Sequence, residues 1–480
     1  MNKKFIYTSI CCLGLTGGLS SCGEDRSGEY YALIASKTWI YETMQENYLF
    51  YEDLPAEDQL DFFMKPADFV KAAASSRDKK NGVTFSHADS IAPSRTQSEY
   101  PCFGLEVDYA NTPQQGIPVM RVLYVQPNSP ANQAGIKRGD WIIAVDSAKV
   151  SSANYIEQIL QPTQTHEFML GKYIPPQENN ENEDNESLVQ AELDTLRSVT
   201  LTPAYIEIQN LLEEKVIHTG NGHKALYLLY NEFGQEDILT LQTALTKHQG
   251  FEDIILDLRY NPGGFVNTSQ VLSTCLAPQE AMGQVFLKMT YNDKINKTEV
   301  LPFDKSLLPG GNSASYRNLY IITSASTASA SEIVINCLKP YMKERLFQVG
   351  SATFGKNVAQ QLFTSEVMPQ VELWLTTTQL SNCENNSDYF THGLIPDFEI
   401  EENTINALGE FGTADDRLLQ PVLYHIQNGS FPATEENVKT NSFSRTSSKE
   451  KVLNILLLTP NLNGTSSINK RIFTYVLTQA

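Results

Sequence analysis

Apolar residues recur along this chain with different periods, and each period predicts a different element. From about residue 30 to 90 the spacing is helical. Trp39, Tyr41, Met44 and Tyr48, then Phe62, Phe63, Phe69 and Val70, predict a helical amino-terminal region packed on a core. Farther on, short apolar runs alternate with helical spacing. Ala225-Leu226-Tyr227-Leu228-Leu229-Tyr230, a helix holding Ile238, Leu241 and Leu245, and the run Ile254-Ile255-Leu256 form a strand-helix-strand unit. Leu319-Tyr320-Ile321-Ile322-Thr323 reads as a buried strand, Ile333, Val334, Cys337 and Leu338 as a helix, and the alternation continues through Val349, which predicts an α/β core. Val371 to Thr376 alternates as a further strand. Two stretches lack such patterning. Gln177 to Glu186 is polar and acidic, predicting a solvated mobile loop, and the chain from Asn428 is rich in serine, threonine and asparagine, predicting a weakly ordered tail with one helix near Val452 to Leu458.

With 480 residues, 41% of them hydrophobic, the chain has room for about three domains with real cores. Lys3 and Lys4 precede an apolar run from Phe5 to Leu15, followed by Leu19-Ser20-Ser21-Cys22, the layout of a secretory signal with a lipoprotein cleavage box. The run is too short and glycine-broken to span a bilayer. Cys22 is therefore expected to become the first mature residue and to carry lipid as the membrane attachment. Losing Lys3 and Lys4 takes the formal net charge from −20 to −22, which argues against nucleic acid and against adsorption to anionic lipid. Of 7 cysteines, Cys102, Cys275, Cys337 and Cys383 remain after the signal and Cys22, and their wide spacing predicts mostly buried free thiols. The histidines are scattered, with neither an HExxH helix nor a paired Cys motif, so neither metal nor cofactor is expected.

Candidate chemistry concentrates between residues 257 and 360. Thr327-Ala328-Ser329-Ala330-Ser331-Glu332 lies between the predicted strand at Leu319 and the following helix, and Thr353-Phe354-Gly355-Lys356 precedes Gln360. A serine hydroxyl needs a base and oxyanion donors to attack a carbonyl, and a lysine serves as that base when burial keeps its amine uncharged. A serine at this turn is ordinarily a helix cap and a lysine is ordinarily solvated. The ordered set resembles the C-terminal processing peptidases, or tail-specific proteases. That resemblance implies Ser329 as nucleophile, Lys356 as base, Gln360 as the group that orients the lysine, and an oxyanion hole built from the Ala330 amide and an amide of Gly263-Gly264 in Asp257-Leu258-Arg259-Tyr260-Asn261-Pro262-Gly263-Gly264. The interval from Ser329 to Lys356 is longer than the family pattern, and the excess is assigned to the helix end at Lys339 to Glu344. A triad through His392 is the rival, although its Gly393-Leu394-Ile395-Pro396-Asp397 sequel resembles a structural turn of the family.

Phe103-Gly104-Leu105-Glu106, Val122 to Val125, Ser129 to Asp140 and Ile142 to Val145 resemble a PDZ domain of the bacterial protease type. The resemblance places a carboxylate-binding loop near Phe103, Gly104 and Leu105. It implies an α/β catalytic core of ClpP/crotonase-like strand-helix repeats with an inserted PDZ domain and a helical N-terminal region. The expected divisions are a signal peptide over 1–21, a lipidated helical region over 22–97, the PDZ domain over 98–205 with its acidic loop at 177–194, the peptidase core over 206–427 and the polar tail over 428–480. The function expected is a serine endopeptidase acting on extended or unfolded polypeptides, with free C-termini as candidate handles and the PDZ domain selecting or gating them. A silent peptide-binding lipoprotein is the alternative. The resemblance to bacterial lipoproteins implies the envelope of a Gram-negative cell, at the outer membrane, and the acids of Gly23-Glu24-Asp25 beside Cys22 suggest display on the surface.

Overall fold

A computed structural model describes residues 27–90, 101–111, 117–151, 159, 162–174, 192–220, 222–366, 369, 371–402 and 408–433. Cys22, most of the acidic loop and the tail helix near Val452 lie outside the described residues.

The N-terminal unit begins with α1 (Ser27–Asn47) and α2 (Pro66–Ala73), followed by three short strands, β1 (Lys79–Lys80), β2 (Val83–Thr84) and β3 (His87–Ser90). Tyr41, Met44, Tyr48, Phe69 and Val70 are buried in one cluster, whereas Phe63 stands exposed. The helical reading holds only for these two helices: residues 48–65 between them, Phe62 and Phe63 included, run as turns and short 3-10 segments, and strands begin at residue 79. These strands are too brief to be seen as periodicity, and β3 is stabilised by pairing with a strand almost three hundred residues away, Ala88 opposite Leu373.

The middle unit is a six-stranded sheet of β4 (Leu105–Asn111), β5 (Pro118–Val125), β6 (Trp141–Val145), β7 (Ala148–Lys149), β8 (His166–Ile174) and β9 (Glu192–Leu201), with the single-turn α3 (Pro130–Gln133) after β5. Phe103, Val122, Ile142 and Phe168 lie at its apolar centre.

The third unit carries two sheets. Its first sheet contains β10 (Leu211–His218), β11 (Lys224–Tyr230) and, after helix α4 (Ile238–Lys247), β12 (Asp253–Asp257). Helix α5 (Val266–Leu276) leads to β13 (Val285–Tyr291) and β14 (Thr298–Pro302), then β15 (Asn318–Thr323), α6 (Ala330–Met342) and β16 (Leu346–Gly350). The chain continues through β17 (Val358–Phe363), β18 (Val371–Ser381), β19 (Phe398–Glu399) and α7 (Gln420–Asn428). The order β10-β11-β12-β15-β16-β19 is parallel from β11 onward, and the order β14-β13-β18-β17 is antiparallel.

The parallel strands are near-continuous apolar runs because both faces are covered. Leu226, Leu228 and Tyr230 pack with α4, α5 and α6, while Ala225, Tyr227 and Leu229 face a cluster holding Tyr124 of the middle unit and Leu418 to Val422 at the carboxyl end. Each such leucine contributes about 1.5–3 kcal/mol on burial. Pro340 near the end of α6, and Lys343 at φ 51°, break the helix within the stretch that sequence spacing marked as the site of extra length. Cys275 and Cys337 are buried thiols, while Cys102 and Cys383, likewise in no disulfide among the described residues, are half-buried. Among the described residues no helix is long and apolar enough to cross a membrane.

Candidate active site

Ligands of parallel α/β sheets lie outside the carboxyl ends of the strands, and here the ends of β12 and β15 meet. After β15 the chain turns sharply and enters α6 through Ser329, whose φ of 53° and ψ of −115° place it in a region that non-glycine residues adopt only under constraint. The constraints are visible. Ser324 N donates to Thr327 Oγ1 at 2.9 Å, Thr327 Oγ1 donates to Leu258 O at 2.8 Å, Ala328 N donates to Asn261 O at 3.1 Å, and Ser331 Oγ donates to Asn261 O at 3.1 Å. The serine turn is thereby bolted to the segment that follows β12. Ser329 itself does not cap the helix through its side chain. Its hydroxyl is left without a bond to the helix end.

Glu332, three residues on, organises the rest. Its fully buried carboxylate accepts Ser329 N at 2.8 Å, Lys356 N at 2.8 Å, Thr353 Oγ1 at 2.6 Å and Gly355 N at 2.5 Å. Burial pushes its carboxyl up, and these donors pull it back toward the ionised form. One oxygen, Oε2, holds the backbone of both Ser329 and Lys356. Glu332 lay inside the serine run without a role assigned from sequence, although the Ser-x-x-Glu spacing of a capping box was the available signal.

Lys356 is fully buried, and its Nζ donates to Gln360 Oε1 at 2.7 Å and lies 5.2 Å from the centre of the Phe85 ring. Burial lowers its amine to about 7, against the opposing pull of Asp78 and Glu332. Gln360 is fixed in turn, since its Nε2 donates to Phe85 O. Phe85 belongs to the N-terminal unit, and nothing in the linear sequence pointed to it.

The glycine pair divides its duties. A Cβ on Gly263, at φ 115°, would lie 2.8 Å from Ser329 Cβ and 2.9 Å from Ala330 N, so only glycine allows this approach. Its amide, however, donates to Asn261 Oδ1 at 2.8 Å. Gly264, at φ 145°, pairs with Phe233, where a Cβ would sit 2.3 Å from Phe233 O. Of the two glycines it is the Gly264 amide, with that of Ala330, that has no hydrogen-bond acceptor among the described residues. Gly263 therefore serves by its shape.

Behind these residues lies a buried ion network. Arg259 meets Asp257 and Asp416 at 2.6 Å each and Glu402 at 2.7 Å, and Arg138 of the middle unit meets Glu402 at 2.6 Å and Tyr260 Oη at 2.9 Å. Although burial pushes the Glu402 carboxyl up, Arg259 and Arg138 hold it down at about 2. The network ties the middle unit to the backbone two residues before the Asn261-Pro262-Gly263-Gly264 turn.

Of the residues proposed for peptide capture, Phe103 is buried against Phe168, 5.1 Å between ring centres, so its side chain builds the core, and its carbonyl accepts Ala131 N at 3.0 Å. Gly104, at φ 74°, packs against Ser129 and leads into Leu105 at the start of β4. His392 is exposed on a turn whose Leu394 exchanges hydrogen bonds with Thr353. That turn braces the lysine loop.

Residues 224–400 match Peptidase family S41, residues 121–170 a PDZ domain and residues 35–87 the Peptidase S41 N-terminal domain. A crystal structure from Bacteroides fragilis, assigned as an S41 protease, is 30% identical with a TM-score of 0.67, over 82% of this chain and 97% of that one. The chain belongs to peptidase family S41. Carboxyl-terminal-processing proteases of Picosynechococcus sp. and Synechocystis sp. are 27% and 24% identical, over 56% and 70% of this S41 chain. The matched stretches span 57% and 70% of those relatives' own lengths.

Proposed function

We propose that this S41 chain is an envelope-anchored serine endopeptidase that hydrolyses peptide bonds in extended polypeptides. Ser329 Oγ attacks the scissile carbonyl carbon as Lys356 Nζ takes its proton, and the resulting oxyanion is held by the Ala330 and Gly264 amides. The ammonium then protonates the leaving amine, which departs with the carboxyl-side fragment. Water, deprotonated by the same amine, releases the acyl fragment and restores the serine. Gln360 keeps Nζ aimed, and Glu332 holds the two reacting residues in register. The PDZ domain would admit or gate the substrate, a role supported by the reach of Arg138 to Glu402 and Tyr260.

The observation that carries this reading is a buried lysine amine, lowered to about 7, whose backbone shares an acceptor with a strained, uncapped serine. The test is mass spectrometry of the products released from a denatured protein mixture. New internal termini, absent with Ser329→Ala, support the peptidase; an unaltered mixture favours a peptide-binding protein.

The base sets the pH dependence. Lys356 works only as the free amine, so kcat/KM should climb from acid with a midpoint near 7 and level off above it. A rate that falls on going from pH 6 to pH 8 would exclude the amine as base.

Anchoring is proposed from the Leu19 to Cys22 box. Cys22→Ala should abolish incorporation of radiolabelled palmitate and move the protein from the membrane pellet to the soluble fraction. Unchanged labelling would place the lipid elsewhere.

A further inference from the structure

We propose that Asp78, in the N-terminal unit, is a positioning residue for the base, holding the Phe85–Ser86 segment that seats Gln360 and facing the Lys356 ammonium with a fixed negative charge. The inference rests on the reading of Lys356 as the base. It assigns to the N-terminal unit a part in catalysis that no motif near Ser329 contains.

Asp78 is fully buried, and its neighbours are donors. Tyr48 Oη donates to Oδ2 at 3.0 Å, Ser86 N to Oδ2 at 3.2 Å and Thr376 Oγ1 to Oδ1 at 2.6 Å. The Tyr48 oxygen already accepts Ser75 N at 3.0 Å, so its proton points at Asp78. Burial, then Asp78, pushes the phenol far above its ordinary value, which keeps that proton in place. Burial pushes the Asp78 carboxyl up as well, but a carboxylic proton would find donors where it needs an acceptor, so the hydrogen bonds favour the carboxylate.

Two routes lead from this carboxylate to the base. One is mechanical. Oδ2 holds Ser86 N, next to Phe85, whose carbonyl accepts the Gln360 amide, and Thr376, whose hydroxyl donates to Oδ1, is the cross-strand partner of Gln360. The other is electrostatic, since Asp78 and then Glu332 are the charges that favour the ammonium over the amine. Other polar groups near this centre are His87 of β3, 3.5 Å from Gln360 Nε2 with Asp89 beside it, Lys80 of β1 over the Phe354 and Phe390 rings, and Tyr389, whose phenol burial keeps neutral. None of these ionisable groups is itself replaced by substitution at Asp78, so a moved acid limb reports the lost charge and a lower kcat the lost positioning.

The experiment measures cleavage of fluorescein-labelled casein against pH for the full chain. Asp78→Asn removes the attraction that favours the ammonium, so the amine persists to lower pH and the acid limb of kcat/KM should move down by about one pH unit. Its kcat should fall about tenfold with KM within twofold of wild type, because positioning rather than binding is lost. Asp78→Glu, which keeps the charge, should return the midpoint toward wild type. A folded Asp78→Asn protein with an unmoved acid limb overturns the proposal. If that variant does not fold, Tyr48→Phe, which keeps the ring and the carboxylate, should lower kcat severalfold at constant KM, and an unchanged kcat overturns it equally. Failure of the underlying reading is visible separately, as cleavage that survives removal of the Lys356 amine.

Discussion

Replacing Lys356 with methionine is expected to abolish peptide-bond cleavage while making the folded protein more stable. The loss in kcat should be on the order of 10⁴-fold or more, because the serine would have no base to take its proton. Ser329→Ala should fall to the same floor, and the double variant should be no worse than either, since the two groups act in one step. The stability gain follows from the lowered amine. A folded value of about 7 against the ordinary 10.5 means that the unfolded chain binds more protons in between, so burial of Lys356 opposes folding. Methionine removes that cost and leaves one acceptor on Gln360 unpaired, for a net gain of roughly 2–4 kcal/mol at pH 7. The gain should be largest below pH 7 and shrink as pH rises toward 10.5, where the unfolded lysine also loses its charge. Urea unfolding at pH 6 and pH 10, beside the casein assay, checks both halves. A variant that is inactive and equally destabilised at both pH values would mean that Lys356 is only structural.

Glu332→Gln is expected to be damaging in the opposite sense. Four donors converge on this carboxylate, and a glutamine turns one of its two acceptor oxygens into a donor facing backbone N–H groups. A buried unsatisfied donor costs about 1–3 kcal/mol, so losing satisfaction on one side should lower stability by roughly 3 kcal/mol. The Ser329 turn should then relax toward ordinary backbone angles, with kcat falling on the order of 10²-fold and KM changing less. Thermal unfolding and steady-state cleavage measure the two effects. Wild-type kcat in Glu332→Gln would remove Glu332 from the account of how Ser329 and Lys356 are held.

Much of the architecture was legible because its signals are local. The runs at Ala225, Ile254 and Leu319 are buried on both faces and therefore nearly free of polar residues, and the helix at Ile333 shows its period over three turns. The strands of the N-terminal unit were not legible. Two to four residues long, they are strands because a partner lies beside them, and His87 to Ser90 acquires one only when β18 arrives. Phe63 departs from the helical reading for a related reason: spacing places it beside Phe62, but only packing decides which of two adjacent aromatic rings turns inward.

By itself the sequence determined which short segments are candidates for the chemistry: a serine turn, a Phe-Gly-Lys loop, and a glycine pair at a strand end. Those are near-neighbour properties, written in residue type and spacing. Only the tertiary structure decided the state of these groups. Gly263 spends its amide on Asn261, leaving the Gly264 amide without an acceptor among the described residues, and Gln360 is steadied by Phe85 from 275 positions away. The amine of Lys356 is lowered by the protein that surrounds it and partly restored by Asp78. A pKa belongs to an environment, and an environment is assembled from distant parts of the chain, so no window along the sequence could contain it.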